Sequence, residues 1–236
     1  MENNIKNYNH NPIEVSNNMV SVYLSRVYNW MAIALLLTGV VAYYVAGSES
    51  LIQTIIGNRI LFFGLIIGEL LLVGYISRMI HKISSSTATM LFILYAVLNG
   101  LTLSVLFLVY TSASISSTFF ITAGTFGAMS VYGYYTKKDL TKIGNLAMMA
   151  LIGIIIASIV NIFMHSEMMH WIITYLGVAI FVGLTAYDTQ KLKTIANRGF
   201  DSGENMEKSA ILGALTLYLD FINLFIFLLR IFGNRK

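Results

Sequence analysis

Residues 210–232 read AILGALTLYLDFINLFIFLLRIF, a continuous apolar stretch with one carboxylate, Asp220, near its middle. A helix of about 20 apolar residues is long enough to cross the hydrocarbon core of a bilayer. The strands of a transmembrane barrel instead alternate in polarity over about ten residues, and this stretch does not alternate. The sequence therefore predicts a membrane-spanning α-helix here.

Six similar stretches precede this one along the chain. The seven predicted spans lie at about 28–47, 60–77, 88–110, 116–135, 146–164, 171–188 and 210–232. Charged residues make up only 11% of the chain and hydrophobic residues 57%, whereas ordinary globular domains have about 25% charged residues. We therefore predict an all-α membrane protein, with a polar N-terminal tail at residues 1–27 and a seven-helix transmembrane domain at residues 28–236.

The composition and the motifs exclude several kinds of site. The chain has no cysteine, so it has no disulfide and no thiolate metal ligand. The basic residues behind its net charge of +4 lie in short loops, which indicates membrane topology rather than nucleic-acid binding. His165 and His170 do not have the spacing of a HExxH zinc site. We expect no enzymatic activity, no cofactor and no nucleic-acid partner.

Positive charge is distributed unequally between the two sides of the predicted bundle. Arg59 is the only basic residue in the loops on one side. The tail and the other loops hold Lys6, Arg26, Arg78, Lys82, Lys137, Lys138, Lys142, Lys191, Lys193, Arg198 and Lys208. Because cytoplasmic loops are enriched in Lys and Arg, we predict a cytoplasmic N-terminus. The absence of a targeting or retention signal favours a bacterial plasma membrane. Arg230, Arg235 and Lys236 leave open whether the last helix crosses fully.

Three acidic residues lie where a membrane should exclude charge: Glu69 in the second span, Asp188 at the end of the sixth and Asp220 in the seventh. A central aspartate costs about 2.5 kcal/mol or more, and intramembrane acids usually face the bundle interior and carry a function. Thr216 and Asn223 stand at helical spacing from Asp220 and form a polar strip with it on an otherwise apolar helix. We expect this strip to face inward.

The two aspartates have a specific chemistry if they meet across the last two spans. Two buried carboxyls in contact cannot both ionise, so Asp188 and Asp220 would share one proton and titrate as a coupled proton sensor. Their oxygens also suit calcium, but calcium prefers six to eight oxygen ligands, so we expect weak binding, which is compatible with permeation. Alternatively, Asp188 is an interfacial carboxylate paired with Lys191 or Lys193.

Glycines recur in the predicted spans. Gly64 and Gly68 form a GxxxG pair, and later spans contain Gly124, Gly127, Gly133, Gly177 and Gly183. Small residues let helix backbones approach closely, so we interpret these glycines as helix-packing positions.

The last span carries a signature of a known family. Residues 217–225, LYLDFINLF, closely resemble the last-helix motif of the Bax inhibitor family, and the match continues at 228–230 (LLR) and 232–233 (FG). Further similarity lies in YD at 187–188, in KKDL at 137–140, in Glu69 and in the seven-span layout. The resemblance covers nearly the whole chain after the tail.

The resemblance implies a fold in which six helices surround a central seventh. It also implies a pH-sensitive calcium leak, with Asp188 and Asp220 as the paired-aspartate sensor and calcium as the permeating ion. We expect cations to pass Asp220 and Glu69. In the family an arginine near the end of the second span latches onto the sixth-span aspartate, and Arg78 is the arginine at that place.

Two other functions are compatible with the sequence. The chain could be a regulator that transports nothing and binds other membrane proteins, such as a quality-control protease or a cell-death factor. Paired aspartates on consecutive spans also describe intramembrane aspartyl proteases. That class has Gly-x-Gly-Asp at the second aspartate, however, whereas residues 217–220 read LYLD.

Overall fold

The computed structural model describes residues 12–236, which form a bundle of α-helices with no β-strand in that range. The helices are α1 (Pro12–Ala46), α2 (Glu49–Gly57), α3 (Arg59–Met79), α4 (Ser85–Val109), α5 (Ser112–Tyr135), α6 (Thr141–Met164), α7 (Glu167–Arg198) and α8 (Gly203–Phe232). One isolated β-bridge joins Tyr110 to Arg235. The predicted all-α class is confirmed.

Six of these helices are long and apolar enough to cross a membrane: α1 from Asn18 onward, α3, α4, α6, α7 and α8. They correspond to six of the seven predicted spans. The remaining span, 116–135, lies in α5, whose many Ser, Thr and Gly residues lower its hydropathy. The seven-span arrangement therefore stays a prediction for α5. The short α2 was not predicted and lies in the connection between the first two spans.

The first helix begins well before the predicted first span. Residue 27, the predicted end of the polar tail, lies inside α1, and Tyr23 and Val27 are fully buried. The Tyr23 hydroxyl lies 3.0 Å from the Ser209 hydroxyl near the start of α8. Residues 1–11 of the predicted tail, including Lys6, lie outside the described residues.

The last helix is the most buried of the six candidate spans. Of the 18 consecutive residues that form the most apolar part of each helix, 67% are buried in α8, compared with 6% in α3 and 11% in α6. The side chains of α8 are apolar on nearly all faces, and a helix of that kind is stable when other helices cover it. It packs against α1, α4, α5 and α7, whereas α3 packs mainly against α4, and α6 against α7.

The glycines divide into two groups. A Cβ atom on Gly133 of α5 would collide with the Ala186 carbonyl of α7, and one on Gly177 would lie 2.6 Å from the Phe227 ring of α8. A Cβ atom on Gly64, Gly68, Gly124 or Gly127 would meet nothing within 4 Å. The interpretation of these four glycines as packing positions between helices of the described chain is therefore wrong, because no atom of another helix lies within 4 Å of the added Cβ.

Candidate functional site

The two predicted aspartates meet across α7 and α8. Asp188 is 7% exposed and Asp220 is 4% exposed, and their carboxyl groups lie within hydrogen-bonding reach of each other. No N–H or hydroxyl group of the described residues donates to the buried Oδ2 atom of Asp220. A carboxylate only accepts hydrogen bonds, so a bond between two carboxyls requires that one of them keeps a proton. Two carboxyls placed in this way can share one proton.

The alternative ion pair of Asp188 with a nearby lysine is not formed. Among residues 18–236, whose side chains the structure describes, one ion pair is present, between Lys208 and Glu204. Lys193 instead donates to the Tyr134 carbonyl at 2.8 Å and lies 4.6 Å from the centre of the Tyr134 ring. Lys191 lies 6.0 Å from the centre of the Tyr187 ring. Asp188 therefore faces the bundle interior and not the basic loop.

The aspartate pair lies in a cavity of about 500 Å³ between α6, α7 and α8. Its polar lining comprises Ser158, Asp188, Thr216, Asp220 and Asn223, and its other lining residues are apolar. The predicted polar strip of α8 thus faces this cavity. Thr216 and Asn223 donate hydrogen bonds to backbone carbonyls of their own helix, so both side chains have an oxygen lone pair left for another group.

A second polar cluster, which we call the Glu69 network, lies on the opposite side of α8. Glu69 is 8% exposed and accepts hydrogen bonds from Asn99 Nδ2 at 3.2 Å and Thr102 Oγ1 at 2.9 Å. The Tyr218 hydroxyl donates to Asn99 Oδ1 at 3.2 Å and lies 2.7 Å from the Thr38 hydroxyl. The network therefore joins α3, α4, α8 and α1 in one chain of hydrogen bonds.

Glu69 is predicted to line one cation pathway with the two aspartates, but it lies against a different face of α8. Tyr218 and Asp220 are two residues apart, and this spacing places side chains about 200° apart around a helix. The aspartate pair thus faces the cavity beside α6, while Glu69 contacts the other face of α8 through Asn99 and Tyr218. The polar residues of this network were missed, although Asn99 within an apolar span was a signal for it.

Arg78 does not reach Asp188 in this structure. Its side chain is exposed at the end of α3, and it makes no ion pair among the described residues. The helix that carries it packs mainly against α4 and not against α7. The latch between Arg78 and Asp188 stays a prediction from the resemblance.

The segment of α7 that carries Asp188 is held by the loop between α5 and α6. The Gln190 amide donates to the Lys138 carbonyl at 2.8 Å, and its oxygen accepts from the Leu140 backbone N–H at 2.9 Å. Gln190 was also missed, because a polar residue beside a basic loop gives no sign that it bonds to another loop.

In the loop between α5 and α6, hydrogen bonds from Thr141 lower the pKa of the exposed Asp139. Asp139 therefore stays ionised near neutral pH.

The oxygen atoms at the aspartate pair can hold a cation only loosely. Within the described residues there is no cluster of three or more acidic or histidine side chains that could bind a metal ion. With one oxygen each, two carboxyls, a threonine hydroxyl and an asparagine carbonyl supply four of the six to eight ligands that calcium takes, and water must supply the others. The site can exchange protons and attract positive charge.

The fold and the site together define a multi-spanning α-helical membrane protein with a buried carboxyl pair beside its most buried helix. A family profile described as "Inhibitor of apoptosis-promoting Bax1" matches residues 20–236. The chain therefore belongs to the Bax inhibitor family, as the sequence indicated.

Several bacterial proteins are similar to the chain over nearly its full length. It is 56% identical over 219 residues to "Inner membrane protein YbhL" of Escherichia coli (strain K12), which covers 92% of this chain and 93% of that protein. An uncharacterized protein of Borreliella burgdorferi is 47% identical over 214 residues, covering 91% and 92%. One of Rickettsia prowazekii is 44% identical over 218 residues, covering 91% and 90%. The chain is thus a multi-pass protein of a bacterial plasma membrane, as predicted.

Proposed function

We propose that the protein is a pH-sensitive calcium leak, gated by proton binding to Asp188 and Asp220. The observation that carries this proposal is the contact between two buried carboxyls at the wall of a cavity beside α8. A structural role alone does not need two acids that must share a proton, because buried carboxyls are costly and are retained mainly where they act.

The proposed gate uses the charge of the pair. With one shared proton the pair carries one negative charge, which attracts a cation but also holds α7 and α8 together through the shared hydrogen bond. A second proton removes this charge and the strong bond, so α8 can shift against α7. The open state binds more protons than the closed state, so flux rises as pH falls.

The position of α8 connects the gate to Glu69. Because α8 contacts the aspartate pair on one face and the Glu69 network on the other, a shift of α8 changes both. Such a shift would break the bond from Tyr218 to Asn99 and free one donor that fixes Glu69. Glu69 then becomes available to a permeating cation as a second carboxylate.

The proposed topology has seven crossings with a cytoplasmic N-terminus. Support for a crossing by α5 comes from contacts at its two ends. At its start, the Thr111 N–H donates to the Asn234 carbonyl just beyond α8. Just after its end, Lys138 bonds to Gln190, which lies near the basic end of α7. The cytoplasmic side follows from the excess of Lys and Arg in the loops at that end.

Calcium entry into liposomes that contain the purified protein tests the proposal. Flux should rise as pH falls from 8 to 5, and Asp188→Asn should reduce this pH dependence. Empty liposomes provide the background at each pH. Flux that is absent, or that does not depend on pH, would refute the gated leak.

A regulator that binds other membrane proteins is the second candidate, and one observation favours it. The Gly64–Gly68 pair lies on α3, the least buried candidate span, with open space at both positions. A GxxxG face of this kind fits a partner helix in the membrane. Crosslinking from residue 64 in cells should then capture a second membrane protein, and substitution of both glycines by Leu should abolish the capture.

A further inference from the structure

The cavity beside α6 has the features of a binding site for an organic molecule. Its volume of about 500 Å³ lies within the range of roughly 300–1,000 Å³ that is usual for small-molecule sites. Leu151, Ile155, Ile159 and Phe227 are among the apolar residues that line it. A hydrated metal ion gains nothing from such walls, whereas a hydrocarbon group does.

The polar part of the cavity selects the charge of the ligand. Asp220 is only 4% exposed. Its Oδ2 atom receives no hydrogen bond from an N–H or hydroxyl donor of the described residues. The ionisable groups lining the cavity are Asp188 and Asp220. Lys191 is the nearby cation on α7, but it lies against Tyr187 and makes no ion pair with Asp188. The cavity therefore lacks the positive donor that would satisfy the carboxyl pair.

We propose that this cavity binds amphiphilic organic amines, with the ammonium group on the Asp188–Asp220 pair and the hydrocarbon body against the α6 wall. An ammonium donates up to three hydrogen bonds and carries one positive charge, which balances the single negative charge of a pair that keeps one proton. Thr216 and Asn223 each offer an oxygen for a remaining N–H. An anionic or neutral molecule of the same shape leaves the pair unsatisfied, which gives the site its specificity.

This inference uses the same carboxyl pair as the proposed leak but does not depend on it. Binding of an amine requires the cavity and the charge in the structure as it stands, and it requires no movement of α8. The test therefore measures binding directly and not flux.

The probe is radiolabelled 1-aminoadamantane, whose rigid hydrocarbon cage carries one ammonium. Binding is measured at pH 7.5 to the full chain in nanodiscs of zwitterionic lipid, with empty nanodiscs subtracted to remove partition into lipid. The expected result is saturable binding, with an affinity at least about tenfold higher than that of 1-adamantanol or 1-adamantanecarboxylate. That ratio is what one hydrogen bond to a charged group contributes.

Substitutions separate the charge from the cavity. Asp220→Asn and Asp188→Asn should each lower the affinity at least about tenfold. Ile155→Trp should also weaken binding, because Ile155 lines the cavity and is 51% exposed, so a larger ring can enter the cavity without disturbing the core. Ile156→Trp is the matched control, because Ile156 is 58% exposed on the same helix and does not line the cavity.

The outcomes are distinct. If the alcohol binds as tightly as the amine, the cavity is apolar without charge selection and the proposal is overturned. The proposal is also overturned if neither aspartate substitution weakens amine binding, or if the amine shows no saturable binding. If either aspartate variant fails to fold, the other aspartate variant and the comparison of Ile155→Trp with Ile156→Trp still test the proposal. Amine binding by a protein without calcium flux would refute the leak and leave this inference standing.

Discussion

Substitution of Asp220 by Asn should remove the pH dependence of calcium flux. The side chain keeps its shape, and its amide can donate to the Asp188 carboxylate, so the contact between α7 and α8 is retained. This hydrogen bond favours the ionised form of Asp188, and the second titrating group is gone. The variant should therefore remain in the closed, charged state between pH 5 and 8.

The number of protons that the aspartate pair takes up sets the size of the change in calcium flux. The pair takes up one proton when it passes from the shared-proton state to the neutral state. Uptake of one proton limits the change to about tenfold in flux per pH unit, equivalent to about 1.4 kcal/mol. Wild-type flux should approach this slope in part of the range from pH 8 to 5. In the variant the total change over the same range should stay below about twofold, because no proton is taken up.

The assay is calcium influx into proteoliposomes at half-unit steps of pH, with the amount of protein in each preparation measured. Asp201→Asn is the matched control, because it makes the same chemical change on an exposed residue in the loop between α7 and α8. It should keep the wild-type slope. A wild-type slope in Asp220→Asn would refute the carboxyl pair as the sensor.

Three further predictions concern the exposed end of α3, the packing of α5 against α7 and the hydrogen bonds of α8. Arg78→Ala should change flux at pH 7.5 by less than about twofold, because the side chain is exposed and forms no ion pair with an acid of residues 18–236. A several-fold rise in flux would instead support the latch. Gly133→Ala should lower the free energy of unfolding by about 1–3 kcal/mol, since its Cβ collides with the Ala186 carbonyl, while Gly127→Ala should not; thermal unfolding in detergent compares the two, and equal stabilities would contradict the packing argument. Tyr218→Phe should cost about 1–3 kcal/mol in the same assay, because it leaves the buried Asn99 oxygen without its donor; an unchanged melting temperature would show that the network does not stabilise the bundle.

The helices and the two aspartates could be predicted from the sequence because both depend on local composition. An uninterrupted apolar stretch identifies a span by length alone, and a carboxylate within it stands out whatever surrounds it. The span in α5 is less distinct, because its Ser and Thr residues bring its composition closer to that of a soluble helix. The extent of α1 was underestimated because the polar residues before Val27 hid a face that is buried against the start of α8.

The contacts of the site could not be predicted, since they depend on how the helices are rotated and which of them are neighbours. Helical spacing placed Thr216, Asp220 and Asn223 on one face of α8, but it could not tell that Tyr218 on the other face would bond to Asn99 of α4. Nor could it tell that Gly133 would contact α7 while Gly64 stays open.

By itself, the sequence determined that this is a helical membrane protein of the Bax inhibitor family with acids in its spans, because hydropathy and motif spacing are properties of single segments. Only the tertiary structure decided that Asp188 and Asp220 share a cavity while Glu69 lies apart from them. The physical reason is that the side chains meeting across a bundle are set by the packing of whole helix surfaces, to which residues far apart in the chain contribute together.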